Sequence, residues 1–516
     1  DMRIGISAGV GKNKTIRDAL QEQGLSLDYV CGGIGRCGKC AVRVISGHVP
    51  VTGADRAFFS KEALEQGWRL ACQMQVTDDI EIEVAEDLVC QKEAGIQVAG
   101  LYPQDEKTDQ GVPTKAAYGI AIDLGTTTIG FSLVDLATGQ VESCLSRMNS
   151  QRIYGADVLS RIQSANEGHG DDLRRYAESD LTQGIKDLCK NRIQVSDIRH
   201  IVIAGNTTMC HLLRGYSCQT LGVAPFQPVS IKQEDFVQKG IAVTILPGAS
   251  AFVGGDIISG IYGIREHMDA DEPWMLLDFG TNGEMVLWTG EEYFATAAAA
   301  GPAFEGGNIS CGCASIPGAI SSVMIAGRNS HTRTIGGLPA IGICGSGILE
   351  AVSGMKKGGI VDENGTFAAD IPEDGFALNT PGSQKKISLT QEDIRQFQMA
   401  KAAIAVGQKT LLKAAGMEAW QVKKVYLAGG MGTFLNVRAA VETGLVEKNF
   451  LPVAKAGGNT SLQGAVSYLK KTGQEQILEK DKLKEITEKM QVLMLADMPD
   501  FADAYISHMA LTEFKA

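Results

Sequence analysis

Apolar residues recur at every second position in short runs at the start of the chain. Residues 2–6 and 41–45 predict strands, residues 79–84 alternate acids with Ile or Val and predict another, and residues 15–23 predict a helix. Residues 89–117 hold Gly, Pro, Gln, Lys and Asp with little periodicity, which predicts an exposed connection. Beyond it the pattern repeats. Residues 118–135 and 275–288 each predict a strand, a tight turn and a strand, sharing an apolar-Asp-x-Gly-Thr core. Later in each half a buried strand ends in Ala-Gly, at residues 201–205 and 425–429, and a helix is predicted to follow. Two similar α/β lobes facing one another are implied.

The division expected from this pattern is a β-rich domain over 1–88, a linker over 89–117, and a two-lobed domain over 118–516. The lobes are placed at about 118–265 and 266–470, with an extension over 471–516. A chain of 516 residues suits about three domains. At 44% hydrophobic and 21% charged it gives disorder no support. A net charge of -12 argues against nucleic acid or an anionic membrane as partner. No run of about 18 apolar residues and no secretory leader pattern is present, so the expected location is the cytoplasm.

In a reducing compartment, closely spaced cysteines are metal ligands or redox groups more often than disulfides. Cys31, Cys37 and Cys40 lie in one glycine-rich loop and Cys72 in a distant segment, giving C-x5-C-x2-C-x31-C. Four thiolates, three from one loop, are what a 2Fe-2S cluster requires. Structural zinc usually shows two C-x2-4-C pairs, and this chain offers one. The same loop matches G-x-G-x-x-G at Gly33, Gly35 and Gly38 and nearly matches a P-loop, but Cys40 stands where Ser or Thr should hold magnesium. Neither motif accounts for four cysteines.

The repeated turn has its own chemistry. Gly125 and Gly280 let backbone N–H groups approach phosphate, and Thr126, Thr127, Thr128 and Thr281 add hydroxyls, with Asn282, Gly283 and Glu284 completing the second turn. Asp123 and Asp278 would hold magnesium through its waters or orient an attacking water. One such turn is an ordinary β-turn signal; two with the same flanks point to an ATP-binding cleft. The remaining cysteines at 90, 144, 189, 210, 218 and 344 are scattered and suit buried apolar positions, and Cys311 and Cys313 do not complete a metal site alone.

The first 88 residues resemble ferredoxin domains of the five-residue-gap subtype, which implies a β-grasp fold. Residues 118–470 resemble the superfamily of actin, sugar kinases and heat-shock chaperones, in which two such turns clamp ATP between lobes. That likeness implies that Gly429 and Gly430 face adenosine and that the helix start at Gly345, Ser346 and Gly347 caps the nucleotide; close helix–strand packing is the alternative for both. The segment holding Asp256 resembles a helix start that carries a catalytic Asp in some sugar kinases, although a plain N-cap would use Asp there too. Asp157 and Arg161 are expected to be structural.

Taken in order, a ferredoxin domain, Asp123-Leu-Gly-Thr-Thr-Thr, Ala204-Gly-Asn-Thr-Thr-Met, Asp278-Phe-Gly-Thr-Asn-Gly-Glu and Gly301-Pro-Ala-Phe-Glu-Gly closely resemble the reductive activators of corrinoid enzymes over nearly the whole chain. The resemblance implies an ATP-dependent transfer of one electron from a 2Fe-2S cluster to Co(II) on a corrinoid protein of a methyltransferase system, loaded by a low-potential donor. Glu305 and Ser310 are expected at the corrinoid, with the Ser310 hydroxyl on cobalt; a tight packing loop is the alternative. The linker leaves no room for an extra middle domain, so dimerisation through one is in doubt and a homodimer is left open. A small-molecule kinase with an appended redox domain and a ferredoxin-like carrier with a regulatory nucleotide fold are the rival functions.

Overall fold

The computed structural model describes residues 2–6, 14–16, 20, 25–27, 40–76, 78–84, 89–91, 117–266, 272–280, 282–380, 386–432, 435–471 and 474–514. The expected helix over 15–23, Cys31, Cys37 and Thr281 fall wholly or largely outside them. Near the N-terminus, β1 (Met2–Ile6), β2 (Ala41–Ser46), β3 (Trp68–Leu70) and β4 (Ile80–Val84) form an antiparallel sheet in the order β1-β4-β2-β3. The alternation of β4 does what its period dictates: Ile80, Ile82 and Val84 are buried while Glu81 and Glu83 are not. Asp55 accepts the N–H and hydroxyl of the helix-capping Thr52 with one carboxylate oxygen and the Leu70 N–H at 2.8 Å with the other, clamping the end of β3. Residues 89–91 pair with 25–27, so the first part of the expected linker belongs to this domain; residues 92–116 lie outside the described set.

The first lobe is built from β5 (Tyr118–Leu124), β6 (Thr128–Asp135), β7 (Val141–Met148), α1 (Val158–Ser164), β8 (Ile198–Gly205), α2 (Thr207–Arg214), β9 (Glu234–Gln238), β10 (Ile241–Ile245) and α3 (Gly255–Arg265). Its sheet runs β7-β6-β5-β8-β10-β9. The second lobe holds β11 (Trp274–Phe279), β12 (Gly283–Trp288), β13 (Tyr293–Ala298), α4 (Gly345–Lys357), α5 (Gln391–Ala415), β14 (Lys424–Ala428), β15 (Ala454–Gly458), α6 (Thr460–Lys470) and β16 (Met490–Leu493). Its sheet runs β15-β14-β11-β12-β13-β16.

The internal repeat is visible in the register. Each sheet has a three-stranded antiparallel meander whose first strand carries the aspartate and pairs in parallel with the strand ending in Ala-Gly. Ala204 lies beside Asp123 and Ala428 beside Asp278. Both aspartates therefore sit at the carboxyl end of a central parallel pair, where open α/β sheets bind ligands.

The segment after residue 470 packs on both lobes: strand β16 pairs in parallel with β13 of the second, and Glu479 accepts the hydroxyl of Tyr262, on α3 of the first, at 2.7 Å. Helices α3 and α6, one following each lobe's core, cross in close contact. A Cβ on Gly464 would stand 1.7 Å from the Ser259 carbonyl oxygen, so only glycine permits this approach. The Ser259 hydroxyl donates to the Ser461 carbonyl at 2.7 Å, and α6 thereby brings its N-terminus to the first lobe's aspartate.

Candidate functional site

Asp123 ends β5 with both carboxylate oxygens occupied: Asn459 Nδ2 and Ser461 Oγ each donate at 2.7 Å. Asn459 also caps α6, accepting the Leu462 N–H at 2.8 Å. Burial still outweighs these two bonds and raises the Asp123 pKa. Opposite it, Asp278 is pushed up to about 8, by burial first and then by the charges of Asp256, Asp123 and Glu305. Glu284 stands directly across the β11–β12 ladder from Asp278 and is raised well above the ordinary range by burial, Asp256 and Asp278. Asp256 is raised by burial and by Asp123.

Asp256 is not the N-cap that its place before an apolar run predicts: the cap of α3 is Gly254, and no side chain caps it. The Asp256 carboxylate accepts the Ile257 N–H at 2.9 Å and adds its charge to the cleft. Four carboxylates from both lobes thus repel one another in a partly buried cleft, which favours their protonation or a divalent cation. Among the described residues no group of three or more His, Cys, Asp or Glu is arranged to hold a metal ion directly.

Around these acids, Asn206 donates to Thr126 Oγ1 at 2.9 Å and Asn149 donates to the Gly125 carbonyl at 2.9 Å, fixing the first turn. Gly429 has φ +84°, and a Cβ there would lie 2.4 Å from Asp278 Oδ1, so the glycine is needed for the aspartate's position; Gly430 borders open space. The helix start at 345–347 uses its small residues for packing. Ser346 is buried with its hydroxyl donating to the Ser321 carbonyl at 3.1 Å, and Gly345 and Gly347 lie against the backbone of Phe304 and Ile320.

Glu305 and Ser310 have different partners. Glu305 accepts a hydrogen bond from Thr127 of the first Asp-x-Gly-Thr turn at 3.0 Å, across the cleft. Ser310 is exposed, and its turn is pinned by Cys313 and Cys311 exchanging backbone bonds with Ile343, each 2.9 Å. Asp157 caps α1, and Arg161 is wholly buried behind the turn, donating to the Gly155 carbonyl at 2.9 Å. Burial raises the thiol pKa of Cys144, Cys189, Cys210 and Cys218, as for inert core thiols. Asn459, Ser461 and Asn206 were not singled out from sequence; the Asn at a helix start in each Ala-Gly or Gly-Gly segment was the available signal.

At the N-terminal domain, Cys40 precedes β2 and Cys72 follows β3. The Ala41–Leu70 register and the bond from Ala71 N–H to the Cys40 carbonyl, 2.9 Å, put both cysteines at one end of the sheet. Cys40 is buried and Cys72 half-buried, and Gln73 Nε2 points a donor at the Cys72 sulfur at 3.9 Å. A thiol pair brought together across 31 intervening residues, with a donor on sulfur, fits half of a cluster cage.

Comparison with known proteins places these parts in one family. Residues 3–77 match the 2Fe-2S iron-sulfur cluster binding domain, residues 118–269 the RACo middle region, and residues 272–516 the C-terminal domain of RACo, the ASKHA domain. A solved structure of a reductive activator for corrinoid,iron-sulfur protein superposes with a TM-score of 0.71 at 28% identity, covering 98% of this chain and 97% of that one. The chain belongs to the family of corrinoid reductive activators. The corrinoid activation enzyme RamQ of Eubacterium limosum is 28% identical, covering 89% of this chain and 91% of that protein. The [Co(II) methylated amine-specific corrinoid protein] reductase of Methanosarcina barkeri is 25% identical over 76% and 77%. The fold is accordingly a 2Fe-2S domain joined to an actin-like ATPase fold. Among the described residues no helix is long and apolar enough to cross a membrane.

Proposed function

We propose that this protein consumes ATP to pass one electron from its 2Fe-2S cluster to the Co(II) corrinoid of a methyltransferase-system protein, giving Co(I). The observation that carries the proposal is the convergence of Asp123, Asp256, Asp278 and Glu284 between two repeated lobes, in one chain with a cysteine-bearing redox domain. The cluster, held by Cys31, Cys37, Cys40 and Cys72, supplies a single electron at roughly -400 mV. Each ~59 mV of uphill transfer costs a factor of ten in equilibrium, so a lower cobalt couple needs coupling to ATP.

The chain's own residues suggest how. Thr127 is a phosphate-turn hydroxyl now held by Glu305. Phosphate arriving there would repel the Glu305 carboxylate and shift the turn that leads to Ser310, five residues on. Ser310, exposed at the surface, is taken as the contact to cobalt, and a change in that contact can offset the electron's cost only by favouring one cobalt state over the other. Asp123 and Asp278 would hold magnesium or the attacking water, with Asp256 and Glu284 setting the negative field.

Absorption of the partner's corrinoid tests the whole proposal. Reduced protein should generate Co(I) with ATP and little without it. Equal reduction without ATP would favour a simple carrier, and phosphate transfer to an added alcohol would favour a kinase.

A pH dependence follows from the raised acids. In the free protein their penalty is absent at a pH low enough to protonate them in both folded and unfolded chains, and grows as pH rises toward about 8, the Asp278 value. A bound cation lowers those pKa values, so magnesium nucleotide binding should release protons. Its affinity should rise between about pH 7 and pH 8.5, beyond the titration of ATP itself. Calorimetry in buffers of different ionisation heat measures both; a flat affinity with no buffer dependence would place the ion elsewhere.

A further inference from the structure

Ser310 is held at two points by one residue. Its N–H donates to Asp393 Oδ1 and its hydroxyl to Asp393 Oδ2, each at 2.6 Å. Asp393 is buried, and its Oδ2 also accepts the N–H and hydroxyl of Thr390, at 2.8 and 2.9 Å, in the capping box that starts α5. An ionised carboxylate accepts and cannot donate, so the Ser310 hydroxyl must spend its proton on Asp393. With that proton committed, its oxygen can act only as an acceptor or ligand, at an exposed position. Charge-assisted bonding also raises the electron density on that oxygen, as carboxylates do for metal-ligating groups they touch.

Asp393 is also mechanically connected to the cleft. Helix α5 runs from it past Phe397, whose ring meets Phe304 edge-on at 6.1 Å, to Ile404 and Gly407. Gly283 and Met285 of the second phosphate hairpin pack against those last two residues. One helix thus touches both the hairpin of Asp278 and the loop of Ser310.

We propose that Asp393 is a positioning residue for the electron-transfer reaction, holding the Ser310 hydroxyl as a proton donor inward so that its oxygen is presented as a ligand to the partner's cobalt. The inference rests on Ser310 meeting the corrinoid, and one experiment separates the two. The full-length protein with its cluster is mixed with a Co(II) corrinoid partner, and electron paramagnetic resonance records the cobalt signal for the unaltered protein and for Ser310→Ala, Asp393→Asn, Asp393→Glu and Thr390→Ala.

The expected result is a complex-induced change in the Co(II) signal that Ser310→Ala abolishes and that Asp393→Asn reduces or alters. Adding Asp393→Asn to Ser310→Ala should then change nothing further. Thr390→Ala weakens the helix cap without removing either bond to Ser310, so it should leave the signal as in the unaltered protein. Cluster content and magnesium ATP affinity should stay unchanged in Asp393→Asn. If that variant does not fold, Asp393→Glu, which keeps the charge but displaces the carboxylate, should alter the signal likewise.

Persistence of the change in Ser310→Ala would remove the cobalt contact itself. Loss in Ser310→Ala with an unaltered signal in the folded Asp393 variants would overturn the positioning role alone. Equal effects of Asp393→Asn and Thr390→Ala would also overturn it, since the cap and not the hydrogen bond would then be the cause.

Discussion

Asp278→Asn will lower ATP turnover about a hundredfold while leaving the 2Fe-2S spectrum and its reduction intact. Loss of one interaction made chiefly in the transition state costs ~3 kcal/mol, and ~1.4 kcal/mol is tenfold in rate. The pKa of about 8 adds a second signature. Burial and the charges of Asp256, Asp123 and Glu305 all oppose ionisation of this group, so removing its charge relieves the free protein. Asp278→Asn should therefore melt no lower than the unaltered protein, and higher at alkaline pH. Asp123→Ala should behave differently, since it strands the two donors Asn459 and Ser461. It should lose turnover and stability together. Phosphate release and thermal melting of both variants, across pH, decide the matter; unchanged turnover in both would place the cleft elsewhere.

Cys40→Ser will abolish or sharply distort the 2Fe-2S absorption and end corrinoid reduction, while nucleotide binding continues. Among the described residues the N-terminal sheet shares no strand with either lobe, so the loss should stay local. Cys37→Ser should act alike. Iron and sulfide content, visible absorption and nucleotide titration measure the outcome, and an ordinary spectrum in either variant would remove that cysteine from the ligand set.

Much of the fold was legible because it follows from local pattern. The alternation at 80–84 could only bury Ile80, Ile82 and Val84 on one face, and the apolar-Asp-x-Gly-Thr repeat had to form hairpins because its apolar runs are interrupted by turn residues. The small residues at 345–347 were ambiguous for a physical reason: a helix start that approaches phosphate and one that packs on backbone both demand residues without bulk. In the structure Ser346 turns its hydroxyl inward to Ser321, toward packing. Asp256 was ambiguous likewise, since an acid in a helix's first turn is favoured by the dipole whatever else it faces.

By itself the sequence determined the cysteine spacing, the two Asp-x-Gly-Thr turns and the family they compose, because each rests on residue types at fixed short separations. The tertiary structure alone decided what those groups touch. Thr127 and Glu305 are 178 positions apart, Asn459 and Asp123 are 336 apart, and Ser310 and Asp393 are 83 apart. Contacts of that range leave no periodicity in the chain. They arise when α6 crosses α3 over glycine and when the 302–310 turn folds between the first lobe's threonine and the start of α5, placements set by the packing of whole helices and sheets.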